Sequence, residues 1–413
     1  MKKLKHTAAG ICLLAVSFGC LAANPEPVIF GTVTPSSGQA VTGTIRWGDQ
    51  EQFLSDIFNG YKLTPVGVEH MSADEKEQLL DHQPGPQAQI GGFQITFKSL
   101  FGKELEAPYF NVFFGAINRI EVAKDIVIAT LHDGTKIISN DGSNDLSDEI
   151  YVKTLEGETK EFDLEDLKMI EFSKAPDDAK LFADGIYGTV TSSIGTFKGR
   201  VMWDKDERTT DKALDGSDES KEHAIKFADI VSIEKAESGS AALVGLRDEQ
   251  LLLLRGTNDV NNGNRGIWID NPDLGRVEID WSQFEKLVIE DLDVAWQDFD
   301  DYRQLSKKLS GTVQLIDGTT IQADSLIYDM NQQSSAELLF ADIEGNNRQV
   351  PLAKFKSLTR INQQGIELLS HDGKKLTAYN DRSVTQDNNG ILVTTGVQHK
   401  YYPWAQIQAI TFD

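Results

Sequence analysis

Apolar positions along the chain fall into one short phrase that occurs six times. Two apolar residues stand at alternate positions, and two more follow at steps of three. The copies are Val112-Phe114-Ile117-Ile120, Phe162-Leu164-Leu167-Ile170, Ile225-Phe227-Ile230-Ile233, Ile279-Trp281-Phe284-Leu287, Val350-Leu352-Phe355-Leu358 and Tyr402-Trp404-Ile407-Ile410. A step of two is strand periodicity, because successive side chains of a strand point to opposite faces. Steps of three fit one 3₁₀ turn, where residues three apart eclipse. Each phrase therefore predicts a strand, a 3₁₀ turn and a closing strand.

Each phrase closes a unit of about fifty residues, the period of a repeat array. The first, third and fifth units open alike, with Gly31-Thr32-Val33, Gly188-Thr189-Val190 and Gly311-Thr312-Val313. A second strand follows and ends in Trp47, Trp203 or Tyr328, with an acid close behind at Asp49, Asp204 and Asp329. Aspartate where a strand leaves the core predicts a turn. The second, fourth and sixth units open on another hairpin, turned at His132-Asp133-Gly134, Arg247-Asp248-Glu249 and His371-Asp372-Gly373. Adjacent His and Asp on a strand face opposite ways, so these read as turns and not as catalytic pairs.

The predicted fold is all-β: six small β-barrel units in three pairs, with a short helical insertion in the first. Unit 1 spans 24–123 with an insertion at 52–108. Units 2 to 6 span 124–173, 185–236, 239–290, 309–361 and 364–413. Inside the insertion, Ser72 followed by Glu75 is a capping box that starts a helix. His70 and His82 flank that helix, but their separation is not the i, i+4 spacing of helical metal ligands. The connector 290–308 is acidic and carries Trp296, Phe299 and Tyr302, which predicts docking on a neighbouring unit.

Lys2, Lys3 and Lys5, an apolar run from Ala8 to Val16, and small residues at Ala22 and Ala23 have the order of a secretory signal peptide, 1–23. A competing reading lipidates Cys20. Both cysteines, Cys12 and Cys20, lie in this stretch, so cleavage after Ala23 leaves no thiol. The expected location is outside the cytoplasm, periplasmic or extracellular, with no transmembrane segment after cleavage. Formal charge is −24, and loss of the three lysines takes it to −27. Such a surface repels nucleic acid and favours cations or basic partners.

The even units carry loops rich in Asn and Asp: 140–145, 258–264, and 380–381 with 386–390. Alternating oxygen ligands with a glycine suit calcium. Asp259, Asn261 and Asp270 are the candidate calcium ligands. The competing explanation is that Asn, Asp and Gly tolerate left-handed turns. No catalytic residue is singled out, because spacing selects no pair among 64 acids.

Four or five short strands, a polar second hairpin and a 3₁₀ turn before the last strand resemble an Sm-like or SH3-like small β-barrel. With the Gly-Thr-Val openings and the loop at Asn258, the paired arrangement resembles exported bacterial proteins of uncharacterised function. Sm-like barrels often bind RNA, but this acidic chain departs from that pattern. Exported SH3-like barrels bind peptides, cell-wall polymers or other domains, so the resemblance implies a protein or cell-envelope polymer as partner. The expected function is non-catalytic binding or scaffolding in the bacterial cell envelope. The alternatives are a calcium-stabilised structural repeat and a carboxylate-dependent hydrolase.

Overall fold

The closing strands meet in pairs. The structure is a computed structural model describing residues 25–82, 96–98, 104–124, 126–140 and 144–413. The expected signal peptide, with Cys20, lies outside those residues. Ile120 faces Ile170, Ile233 faces Leu287, and Leu358 faces Ile410, each antiparallel and each fully buried. The last apolar residue of each phrase thus meets its counterpart from the paired unit.

Around each meeting point eight strands take the same order. In the first pair it runs Thr159–Asp163, Glu149–Lys153, Val41–Trp47, Phe30–Pro35, Leu167–Phe172, Ile117–Ala123, Ile126–Leu131, Lys136–Asn140. In the second it runs Gly275–Ile279, Ile267–Asn271, Gly195–Met202, Tyr187–Ser192, Phe284–Ile289, Ile230–Ala236, Ala241–Leu246, Leu251–Leu254. The third repeats it, with one strand bent at Asp324. Its first half, Thr320–Ala323, pairs with Gly311–Leu315, and its second, Ser325–Tyr328, pairs with Ile391–Thr395. The closing strands Ile407–Phe412 and Phe355–Asn362 lie next, followed by Gly365–Ser370 and Lys375–Tyr379.

This corrects the expectation of six separate barrels. The protein is all-β in character, but no sheet closes into a barrel. The opening hairpin of each odd unit pairs with strands of the even unit that follows, so two units interleave into one module with its own core. A lone unit would leave its opening hairpin with free edges, and exchange pairs them. The Gly-Thr-Val openings mark where exchange brings backbones close. A Cβ on Gly31 would lie 2.3 Å from the Glu171 carbonyl oxygen, on Gly188 2.3 Å from that of Val288, and on Gly311 2.0 Å from that of Thr411. Only glycine fits there.

Five of the six phrases contain the predicted 3₁₀ turn, at Phe114–Ala116, Leu164–Asp166, Phe227–Asp229, Leu352–Lys354 and Trp404–Gln406. At Trp281 an ordinary turn takes its place. Each module adds an outer hairpin: Ile57–Tyr61 with Tyr109–Phe113, Ala213–Ser217 with Glu222–Lys226, and Leu338–Ile343 with Asn346–Pro351. The segment peculiar to the first module therefore narrows from 52–108 to 62–108. It carries helix α1 (Ala73–His82), which the Ser72–Glu75 capping box opens. The Ser72 N–H donates to Glu75 at 2.8 Å, and the Glu75 N–H donates to the Ser72 hydroxyl at 3.3 Å. Residues 93–97 alternate apolar and polar, which predicts a strand; 93–95 fall outside the described residues, and Thr96–Lys98 is a strand.

All three modules touch. The outer hairpin of the third pairs with the edge strand Gly275–Ile279 of the second through Arg276↔Gln349 and Val277↔Arg348, making one continuous sheet. Met71 and Leu79 of the α1 segment pack on Met330, Leu392 and Tyr401 of the third module. The connector forms helix α2 (Phe299–Leu305) and docks on the first module. There Phe299 and Tyr302 are buried, and Tyr302 lies over Gly115.

Candidate functional site

Arg200 sits at the junction of the first two modules. On its strand, Val201 and Trp203 face the core, so Arg200 points to the opposite face and onto the first module. It is 0% exposed. Its Nη2 donates to Asp56 at 2.7 Å, Asp270 at 2.8 Å and Ser55 at 2.9 Å, and its Nε lies 3.1 Å from Glu26. Asp270 is also held by Arg276 at 2.7 and 3.0 Å. Asp56 accepts the N–H groups of Gln52 and Phe53, both at 2.9 Å. A buried guanidinium needs this degree of pairing, since an uncompensated charge in the interior is very costly.

The electrostatics follow from burial and pairing. Burial pushes Glu26 up to about 7 against the opposing pull of Arg200. Burial also acts to raise Asp56, but Arg200 and Arg208 outweigh it and hold that carboxyl below its ordinary value. A second junction joins the first module to the third. Lys62, 3% exposed, donates to Glu337 at 2.5 Å and to the Asn331 carbonyl at 2.7 Å. Sequence reasoning missed both junctions. Their partners are remote in the chain, and the one local signal is an arginine on a strand face where the first module has Thr44.

Beside the Arg200 junction lies a cleft of about 150 Å³. Pro25, Glu26 and Phe53 come from the first module, Leu181 and Asp184 from the link to the second, Gly185 and Tyr187 from the start of the second, and Asp291, Leu292 and Trp296 from the connector. Trp296 and Tyr187 form one corner, with ring centroids 6.0 Å apart at 59°. Glu26 closes the inner end, and the Tyr187 hydroxyl donates to it at 2.9 Å.

The calcium candidates do not converge. Asp270 belongs to the Arg200–Arg276 cluster. The Asp259 carboxylate accepts the Asp215 N–H at 2.7 Å, and the Asn261 side chain accepts the Gly263 N–H at 2.7 Å. Among the described residues, no three His, Cys, Asp or Glu side chains are grouped to hold a metal. The Asn/Asp loops seat the aromatic that ends the second strand. Trp47 donates to the Asp145 carbonyl at 2.6 Å, Trp203 to that of Asp259 at 3.0 Å, and Tyr328 to that of Ser383 at 2.5 Å. Asn388 donates to that same Ser383 carbonyl at 2.6 Å, and its side-chain oxygen accepts the Gly390 N–H. A buried indole or phenol needs such an acceptor.

The acids after those aromatics also serve turns. Asp204 (φ 50°) and Asp329 (φ 52°) adopt left-handed backbone, and Gly48 (φ 56°) takes that place in the first module while Asp49 is exposed. Asp204 accepts the Arg265 N–H at 2.5 Å and Asp329 that of Asn389 at 2.6 Å. Of the His-Asp-Gly turns, His132 packs edge-on to Phe299, and Asp133 accepts the Thr135 N–H at 2.8 Å. His371 is exposed. His70 stacks on His399 of the third module at 4.2 Å, and the His82 side chain lies outside what is described.

No helix among the described residues is long and apolar enough to cross a membrane. No family model matches the chain, and no curated protein matches it. Among solved structures, selenomethionine-substituted virginiamycin B lyase from Staphylococcus aureus aligns over 70% of this chain and 85% of its own. The identity is 12% and the TM-score 0.10, a likeness that carries no argument about fold or function.

Proposed function

We propose that the chain is a non-catalytic binding protein of the bacterial cell envelope, in which three interleaved modules scaffold a cleft that receives part of a larger partner. The cleft carries this reading. Its walls come from three stretches of chain well apart in sequence, and they meet because Arg200 is locked between the first two modules. Ligand sites favour such junctions. About 150 Å³ suits one side chain or head group better than a length of polymer. Export rests on the sequence of residues 1–23.

Catalysis is the weaker reading for a physical reason. Glu26 titrates near neutrality, as a general acid should. Yet its oxygens are taken by Arg200, Ser55 and Tyr187, all of them groups that hold the modules together. A carboxylate engaged in this way is poorly placed to exchange a proton with substrate.

The test is affinity capture from envelope extract, with the protein immobilised beside a Trp296→Ala variant that removes one wall of the cleft. A component retained saturably by the natural protein and lost from the variant supports the reading. Equal retention by both removes the cleft from the function, and no saturable retention by either ends the binding proposal.

A further inference from the structure

We propose that this cleft recognises an organic ammonium ion, with a quaternary or N-methylated head group seated in the corner between Trp296 and Tyr187. The inference rests on the binding reading above and adds the chemistry of the ligand.

The lining contains three carboxylates and no lysine, arginine or histidine. The carboxylates are not equivalent. Glu26 is spent on Arg200 and Tyr187 at the inner end. Asp184 and Asp291 stand exposed at the rim, and neither side chain enters an ion pair or hydrogen bond within the described structure. Two carboxylates facing a cavity without a cation leave a field that favours positive charge, and the chain's overall charge of −24 adds to it.

The rest of the wall says which kind of cation. A metal ion wants several converging oxygens, and no such group exists among the described residues. The interior surface is instead aromatic and aliphatic: Trp296, Tyr187, Phe53, Leu181, Leu292 and Pro25. Trp296 and Tyr187 are tilted by 59°, so both faces can flank one guest. A weakly hydrated ammonium gives up its water readily and is attracted to the negative face of each ring. Apolar walls with acids at the mouth fit an alkylated ammonium better than a hydrated inorganic ion, which would lose its shell without receiving oxygens in return.

Choline is a suitable probe, and 3,3-dimethylbutan-1-ol is its uncharged isostere. Binding is read by calorimetry and by tryptophan fluorescence, on the whole protein and on Trp296→Ala and Asp184→Asn/Asp291→Asn variants. Asp184 and Asp291 are exposed and Trp296 is half-buried, and circular dichroism is the check that each variant is folded. Choline should bind the natural protein saturably, and the isostere about tenfold more weakly, the scale of a cation–π contact. Each variant should lose about tenfold for choline, and added salt should weaken binding to the natural protein but hardly alter the double variant. If isostere and choline bind alike and Trp296→Ala weakens both, the cleft is a binding site and the cation inference fails. If choline binding is unchanged in all variants, or neither probe binds, the inference is overturned while capture of a larger partner stays open to its own test.

Discussion

Arg200→Met is the most informative perturbation, because the surroundings set its cost. Methionine keeps the stem but removes a guanidinium that contacts Glu26, Ser55, Asp56 and Asp270. Breaking one side of a buried ion pair typically costs about 3–5 kcal/mol. Three features place this site near the lower end. Asp270 keeps both contacts to Arg276. Asp56 keeps two backbone N–H donors and Arg208 at 3.7 Å. Glu26, already near 7, can take up a proton. A loss of about 3 kcal/mol is expected, read from urea unfolding followed by tryptophan fluorescence as the shift of the first transition, since interlocked modules need not unfold in one step. Adding Glu26→Gln should recover about 1 kcal/mol, because it does the work of the bound proton without needing acid. The loss should shrink at pH 5, where Glu26 is protonated. A loss below ~1 kcal/mol, the range of a surface change, or one independent of pH, would refute the buried-lock reasoning.

Three further outcomes are expected. Glu207 is raised to about 8, Glu26 to about 7, and Asp148, Asp259 and Asp329 to about 6, with burial the main cause in each. Acids whose folded pKa exceeds the unfolded value bind more protons when native, so stability should fall as pH rises from about 5 to 8. Asp56, held low, acts only below that window; a melting temperature that climbs from pH 5 to 8 would contradict this, and Glu207→Gln should flatten the slope. Trp281→Ala removes a ring stacked on Phe284 at 5.2 Å and should cost about 3–5 kcal/mol in denaturant melts, whereas a loss near zero would mean the phrase there is misaligned. Calcium and magnesium at equal ionic strength should shift the melting temperature alike, and Asp259→Asn should leave that unchanged; a calcium-specific shift abolished by the substitution would restore the loop as a metal site.

The apolar phrase determined a good deal by itself. Two-then-three periodicity specifies which residues are buried and where strand gives way to 3₁₀ turn, because side-chain direction follows from backbone repeat alone. Ile120, Ile170 and their counterparts are buried, and the Ser72–Glu75 box opens a helix, since capping is a contact three residues long. Pairing partners were not legible. Val41–Trp47 buries the same face whether it closes its own unit or crosses to Glu149–Lys153, so periodicity cannot separate six barrels from three interleaved modules. The glycine at each opening held the clue, but the Glu171 carbonyl that a Cβ on Gly31 would meet at 2.3 Å is there only once the strands have crossed. The oxygen-rich loops are ambiguous for a related reason. The same Asn and Asp residues suit a calcium shell or a turn beside a buried indole, and only the tertiary structure shows Trp203 seated on the Asp259 carbonyl. Arg200 and the cleft belong wholly to the tertiary structure. A charge's worth depends on its burial and its neighbours, and Glu26, Asp56 and Asp270 become neighbours of Arg200 only when the modules meet.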